Sequence, residues 1–268
     1  MSAIGPAMRA RIAEHLSERD WAILRFLSRH RYATTTHIHR RFFTGHASQG
    51  AATRATIRVL DRLLSLRVVS RLERRIGGVR HGSAGFIWHL DAAGEHLTRD
   101  PGSARRRYPG PSTPFLDHTL QITETAVALY EAALAGRFTV AKEEVEAEAW
   151  RSYLGPSGAA TVLKPDLFVT LTTSDYDDHW YLEIDRGTEW TPTLLTKCRA
   201  YEHYRRTGRA QKEHGVFPRV LWIVPTEKRA QNLRTAIATD TTLTDRLFVT
   251  TTPEHFIDVL TAGGDEEP

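Results

Sequence analysis

The 268-residue chain, 41% hydrophobic and 25% charged, is long enough for two modest domains or one large one, and its single cysteine, Cys198, excludes an internal disulfide framework and a thiolate zinc cluster. No apolar run approaches the ~20 residues needed to span a bilayer, and Met1 to Arg11 lacks the apolar core of a secretion signal, so a cytoplasmic protein without a membrane partner is expected. The net charge of +4 divides unevenly: residues 1–110 hold 20 arginines, no lysine and 8 acids, a net +12, and residues 111–268 a net −8.

In chain order, Ser17 reads as a helix N-cap, with Glu18 and Asp20 in the first turn where carboxylates suit the helix dipole. Trp21, Ile23, Leu24 and Leu27 then recur at helical spacing. Thr34-Thr35-Thr36 restarts the chain, and Ile38, Phe42 and Phe43 give a short second helix. Gly45 to Gly50 predicts a turn. A third helix is predicted from Ala51 to about Leu66, with Ile57, Leu60, Leu63 and Leu64 on its apolar face. Arg54, Arg58 and Arg62, spaced i, i+4, i+8, form a stripe on another face.

Val68 to Leu72 and Gly85 to Leu90 predict two antiparallel strands around a glycine-rich loop that carries Arg74, Arg75 and Arg80. Three helices followed by a basic hairpin is the order of a winged helix-turn-helix. In that fold the third helix enters the major groove of double-stranded DNA and the wing holds phosphates. Thr53, Arg54, Arg58 and Arg62 are the DNA-contact candidates on the helix, with Arg75 and Arg80 on the wing. Arginine's planar fork suits phosphate and guanine. A solvated arginine-rich surface and a protein–protein module are the alternatives.

Residues 1–98 are thus expected to form the DNA-binding domain, and residues 99–114, rich in Pro and Gly, a basic linker. Its Arg105-Arg106-Arg107 either tracks phosphates or keeps the linker solvated. Residues 115–262 are expected to form a second domain, and 263–268 a disordered acidic tail. The second domain's predicted elements are a helix over 115–135, strands over Val140–Trp150, Val162–Leu171 and Trp180–Asp185, a helix over Thr193–Arg206, a strand over Val220–Val224, a helix over Glu227–Ala238, a strand over Leu247–Thr250 and a helix near Glu254–Leu260. The fold class is α+β, the second domain an α/β sandwich with a mixed sheet.

The second domain shows its chemistry in its acids. Asp166 follows Pro165 at a strand start, and the next strand presents Glu183 and Asp185 on one face by its period of two. Three carboxylates packed together repel unless a cation sits among them, and oxygen ligands around a hard cation suit Mg²⁺ or Mn²⁺.

Pro165-Asp166 with Glu183 resembles the PD-(D/E)XK nuclease superfamily, and the resemblance implies a restriction-endonuclease-like fold. The lysine of that motif falls on Asp185. Lys164, on the strand face of Asp166, and Lys197, on the following helix four residues before Tyr201, are its two replacements. The order of winged helix, basic linker, His118, Lys164-Pro165-Asp166, Glu183 to Glu189 and Lys197 to Tyr201 is similar to the replication-relaxation family of actinobacterial and firmicute mobile elements, across about residues 17–240. That resemblance implies plasmid replication or mobilisation and relaxase-like nicking, with Asp166, Glu183 and Asp185 holding Mg²⁺ or Mn²⁺ and Lys197 or Lys164 stabilising the phosphate. Other replication or mobilisation proteins are then expected partners. A homodimer is expected if the DNA site is palindromic. The alternative is a non-catalytic DNA-binding factor whose acidic domain serves dimerisation or docking.

Smaller signals remain. Glu189 either extends the acidic cluster or caps the helix near Pro192. His118 either reaches the site or makes a structural hydrogen bond. His37 and His39 are expected to be partly exposed, Cys198 to be core. No P-loop occurs, so ATP-driven work is not supported.

Overall fold

The computed structural model describes residues 5–45, 48–72, 86–100, 111–155, 157–173, 176–244 and 246–262. The chain divides into two compact units, residues 1–127 and 128–268.

The first unit begins with α1 (Pro6–Glu14) and α2 (Glu18–His30). The expected cap is present: Ser17 accepts from the Asp20 amide while Asp20 accepts from the Ser17 amide, satisfying two orphan donors reciprocally. A two-residue strand, β1 (Ala33–Thr34), leads into α3 (Thr35–Phe42), and α4 (Gln49–Ser65) follows. Gly50, expected in a turn, lies in the first turn of α4, whose N-cap is Ser48. Strands β2 (Val69–Leu72) and β3 (Ile87–Leu90) pair antiparallel, Val69 opposite Leu90, and β1 adds to the far side of β3, giving the order β1-β3-β2. The β2–β3 connection, with Arg74, Arg75 and Arg80, lies outside the described residues.

The buried face of α4 is Ala52, Ala55, Thr56, Leu60 and Leu63. Ile57 is a correction: it is 48% exposed, because an i, i+3, i+4, i+8, i+11 stripe leaves position 57 to one side. The turn from α4 into β2 puts Arg67 at φ 58°, with Val68 N–H donating to Leu63 O and Arg67 N–H to Leu64 O. This is the paired bonding of a Schellman turn. Next, α5 (Ala92–Thr98) packs so closely on that turn that a Cβ at Gly94 would lie 2.0 Å from the Val68 carbonyl oxygen, so only glycine fits there.

Helix α6 (Thr113–Leu134) spans the division between units. The division falls inside α6; most of the 99–114 segment lies outside the described residues. The first half of α6 is tied into the first unit: Thr123 Oγ1 donates to Tyr32 O at 3.0 Å, and Val127 joins the core of Leu24, Leu27, Leu60 and Trp88.

In the second unit, β4 (Thr139–Val145), β7 (Leu167–Thr172) and β8 (Asp177–Ile184) form an antiparallel meander. Strands β9 (Arg219–Ile223) and β10 (Phe248–Thr251) extend it in parallel. The result is a mixed five-stranded sheet, order β10-β9-β8-β7-β4. Two expected strands are corrected. The first stops at Val145 and turns into a 3₁₀ helix over Glu146–Glu148; Val145 and Ala149 are buried while Ala147 is exposed, so the alternation over 144–149 is not that of a strand. The second splits at Pro165, which has no N–H to give a ladder. Before it, β6 (Ala160–Leu163) pairs with β5 (Arg151–Leu154) as a separate hairpin.

Between the parallel strands run α7 (Thr191–Arg206), α8 (Arg209–His214) and α9 (Glu227–Thr239), and α10 (Phe256–Thr261) follows β10. Leu194, Cys198 and Tyr201 of α7 and Ala230 and Leu233 of α9 share one core with Tyr181, Val220 and Trp222 of the sheet. Among the described residues no helix is long and apolar enough to cross a membrane.

Candidate functional site

On the first unit, α4 turns its polar face outward. Thr53, Arg54 and Arg58 are exposed, and Thr53 Oγ1 donates to its own helix, at Gln49 O. Among the described residues, neither Arg54 nor Arg58 takes part in an ion pair. Arg62 differs. Its Nη2 donates to Asp20 Oδ1 at 2.5 Å, and the Asp20 side chain is 1% exposed. Burial works to raise the Asp20 carboxyl, but bonds from Arg62 and Ser17 outweigh it and hold it below its ordinary value. The stripe therefore splits: its first two arginines are presented, and the third holds the helices together.

His37 is corrected as well. It is buried, and its Nε2 lies 3.1 Å from Glu124 Oε2 on α6. Arg40 Nη1 reaches both oxygens of Glu124, at 2.6 and 2.7 Å. His39 is bonded to Thr56 of α4 at 3.1 Å. All three histidine and arginine contacts fasten α3 into its unit. His118 falls in the first half of α6.

The second unit gathers a different set. Asp166 precedes β7 in a register that pairs Leu167 with Leu182, so it stands across from the end of β8. There its Oδ2 accepts the Ile184 amide at 2.8 Å, replacing a ladder bond. Glu183 is 1% exposed. Both its oxygens are engaged, Oε2 by Lys197 Nζ and Oε1 by the Tyr201 hydroxyl. The four-residue spacing of Lys197 and Tyr201 along α7 delivers both to the same carboxyl. Lys197 also lies 5.9 Å from the Trp222 ring centroid, with a third of its side chain exposed.

Burial pushes the Glu183 carboxyl up to about 8; the Lys197 charge opposes this and the Asp166 charge adds to it. Burial disfavours the Lys197 ammonium, but the Glu183 and Asp166 carboxylates overcome that and hold it above its ordinary value. Burial and the Glu183 charge raise the Tyr201 hydroxyl. A carboxyl that titrates near neutrality beside a lysine is able to take or give a proton there, or to accept a cation once deprotonated.

Asp185 does not join this set. Its Oδ2 is bonded by Arg229 Nε of α9 and its Oδ1 accepts the Gly187 amide at 3.0 Å. Among the described residues no group of three or more His, Cys, Asp or Glu side chains is arranged to hold a metal ion. Lys164 is also elsewhere: exposed, its Nζ sits 4.8 Å from the Trp150 ring centroid. Cys198 is fully buried and its thiol is pushed up to about 12 by burial, which makes it inert core.

Sequence reasoning missed Arg229. A signal was present: Lys228 and Arg229 both occupy the first turn of α9, where the helix dipole disfavours cations, and a cation there points to a specific acid partner. Arg229 Nη2 also donates to Glu189 O at 2.6 Å, and Trp190, not Glu189, is the N-cap of α7.

Residues 24–220 match the family model described as replication-relaxation. No curated protein matches the chain.

Proposed function

The chain belongs to the replication-relaxation family, and from that premise we propose that it is the double-stranded-DNA-binding replication or mobilisation factor of a plasmid or other mobile element. The first unit is read as a winged helix-turn-helix, α4 its recognition helix and β2 and β3 the strands of its wing. The observation that carries this reading is the presentation of Arg54 and Arg58, one turn apart and exposed, on a helix whose opposite side is core. Arginines held this way can reach base edges and phosphates. The test is anisotropy of a labelled mixed-sequence duplex over a salt series. Arg54→Ala and Arg58→Ala should each weaken binding, with the slope of log K against log salt falling by about 1 for each phosphate no longer neutralised. Duplex binding unaffected by either variant would overturn the assignment of α4.

The second unit is read as restriction-endonuclease-like, and one observation favours a further, nicking reading: α7 brings Lys197 onto Glu183 in the neighbourhood of Asp166. These are the residue types of the nuclease motif, with the lysine relocated to the helix. The donors fit a hard divalent cation as a two-carboxylate set, Asp166 and Glu183, which suits Mg²⁺ or Mn²⁺ with water and phosphate oxygens completing the shell; Arg229 withdraws Asp185. When bound, that cation would activate water and neutralise charge on the scissile phosphate. Glu183 must release its proton to ligate, and Lys197 is free to face the phosphate only when it leaves Glu183. Metal-dependent nicking of supercoiled plasmid that is abolished in Asp166→Ala, with duplex affinity kept, supports this reading. Mn²⁺ titration that detects no binding in the wild-type chain leaves the non-catalytic DNA-binding factor.

A further inference from the structure

The β8–α7 loop carries an indole that folding does not use. Trp190 is 82% exposed, more than any other large hydrophobic side chain among the described residues, with Leu154 next at 64%. It stands at the N-cap of a 16-residue helix and its side chain makes no capping bond. Ser, Thr, Asp or Asn there would stabilise the helix. The position thus gives up both burial and capping.

The loop is nevertheless held. Asp185 N–H donates to Ile223 O at 3.0 Å and Gly187 N–H to Asp185 Oδ1. Gly187 sits at φ 75°, and a Cβ there would lie 3.0 Å from Pro225 Cγ. Arg229 ties Asp185 at one end and the Glu189 carbonyl at the other, and Thr193 N–H donates to Trp190 O at 2.9 Å. A large, flat, exposed ring on a fastened loop is a preorganised stacking platform, since little order has to be gained on binding. It lies between the strand that presents Glu183 and the helix that presents Lys197.

Resting on the DNA-binding reading above, we propose that Trp190 stacks an unpaired base of the DNA beside the Asp166–Glu183–Lys197 set. The ligand class follows from the charges. Lys197 and Arg229 are both engaged by acids, Arg186 of the same loop is only partly exposed and Glu189 adjoins Trp190 in the chain, so the fully exposed end of the loop offers less to a phosphate than to a neutral π-face. Bases inside a duplex hide that face, whereas any unpaired base presents it.

The test is anisotropy of a labelled 12-nucleotide single strand and of its duplex with the full chain, Trp190→Ala and Trp190→Phe, with thermal melts confirming folding. Trp190→Ala should weaken single-strand binding by roughly 5- to 150-fold, to a similar factor at low and high salt. Trp190→Phe should retain most of it, and duplex affinity should not change. Duplex binding by the wild type with single-strand binding unchanged in Trp190→Ala overturns this inference alone, as does an equal loss for both strands or a shift only in oligomeric state. Binding of neither DNA by the wild type overturns the DNA-binding reading and this inference with it.

Discussion

Arg62 of α4 and Asp20 of α2 meet at 2.5 Å, with the carboxylate buried and the guanidinium 43% exposed. That pair decides how the arginine stripe is divided. A guanidinium bonded to a buried carboxylate has its charge offset and cannot swing away to DNA without leaving that carboxylate without a cation, which is costly.

Arg62→Ala is therefore expected to destabilise the fold by about 2 kcal/mol, a buried-pair cost discounted for the exposed partner. Its effect on duplex affinity should be smaller than that of Arg54→Ala or Arg58→Ala. The pH dependence has a definite sign. Asp20 is held below its ordinary value of 3.8, so its contribution is present above that value and is lost as pH falls through the folded one. Urea denaturation of the variant and wild type at pH 7 and pH 3 checks it: the gap between them should shrink at the lower pH.

Glu183 has the opposite sign. Its carboxyl is raised from 4.5 to about 8, so between those values the folded chain keeps a proton that the unfolded chain has released. Stability from this group falls as pH rises across that window. Glu183→Gln should remove the slope. The comparison is made as the difference between variant and wild type, because buried His30, lowered to about 3 by burial, contributes a slope of opposite sign below 6.5. A difference that does not change between pH 5 and pH 8 would contradict the raised carboxyl.

Asp185 is a loop anchor in this arrangement. Asp185→Asn should speed amide hydrogen exchange at Gly187 and in the 186–190 loop, where the charge-assisted bond to Arg229 and the acceptor for Gly187 are weakened. Mn²⁺ affinity, where present, should stay within about twofold, whereas removing a true carboxylate ligand costs far more. Loss of metal binding in Asp185→Asn would return Asp185 to the ligand set.

Arg67 occupies the left-handed region at φ 58°, where a residue with a Cβ is strained by roughly 1–2 kcal/mol. Arg67→Gly relieves that strain at an entropic cost in the unfolded chain. The expected net effect is stabilisation by about 0.5–1 kcal/mol, read as a higher urea midpoint with an unchanged slope. A lower midpoint would show that the side chain's packing outweighs its backbone strain.

Periodicity locates α2, α3, α4, α7 and α9 and the paired strands β2 and β3, because each buries one face and its apolar spacing shows in the chain itself. It fails where burial and period part company. Over 146–149 an alternating run of acids and alanines folds into a 3₁₀ turn, and Pro165 divides what reads as one strand. Ile57 belongs to the core by its residue type and is exposed, since a helix has room for only one buried stripe.

The candidate site is legible to the same depth. The sequence alone determined the charge asymmetry, the residue types of the acid cluster, and the face that Lys197 shares with Tyr201, all of which follow from composition and short-range period. Only the tertiary structure decided which cation meets which acid. Glu183 and Lys197 are 14 residues apart, Asp20 and Arg62 are 42, and Asp185 and Arg229 are 44. A period describes the face a residue occupies and carries no record of its partner across the core. The partner is fixed when the sheet and helices pack, and burial then forces each acid to take the cation within reach.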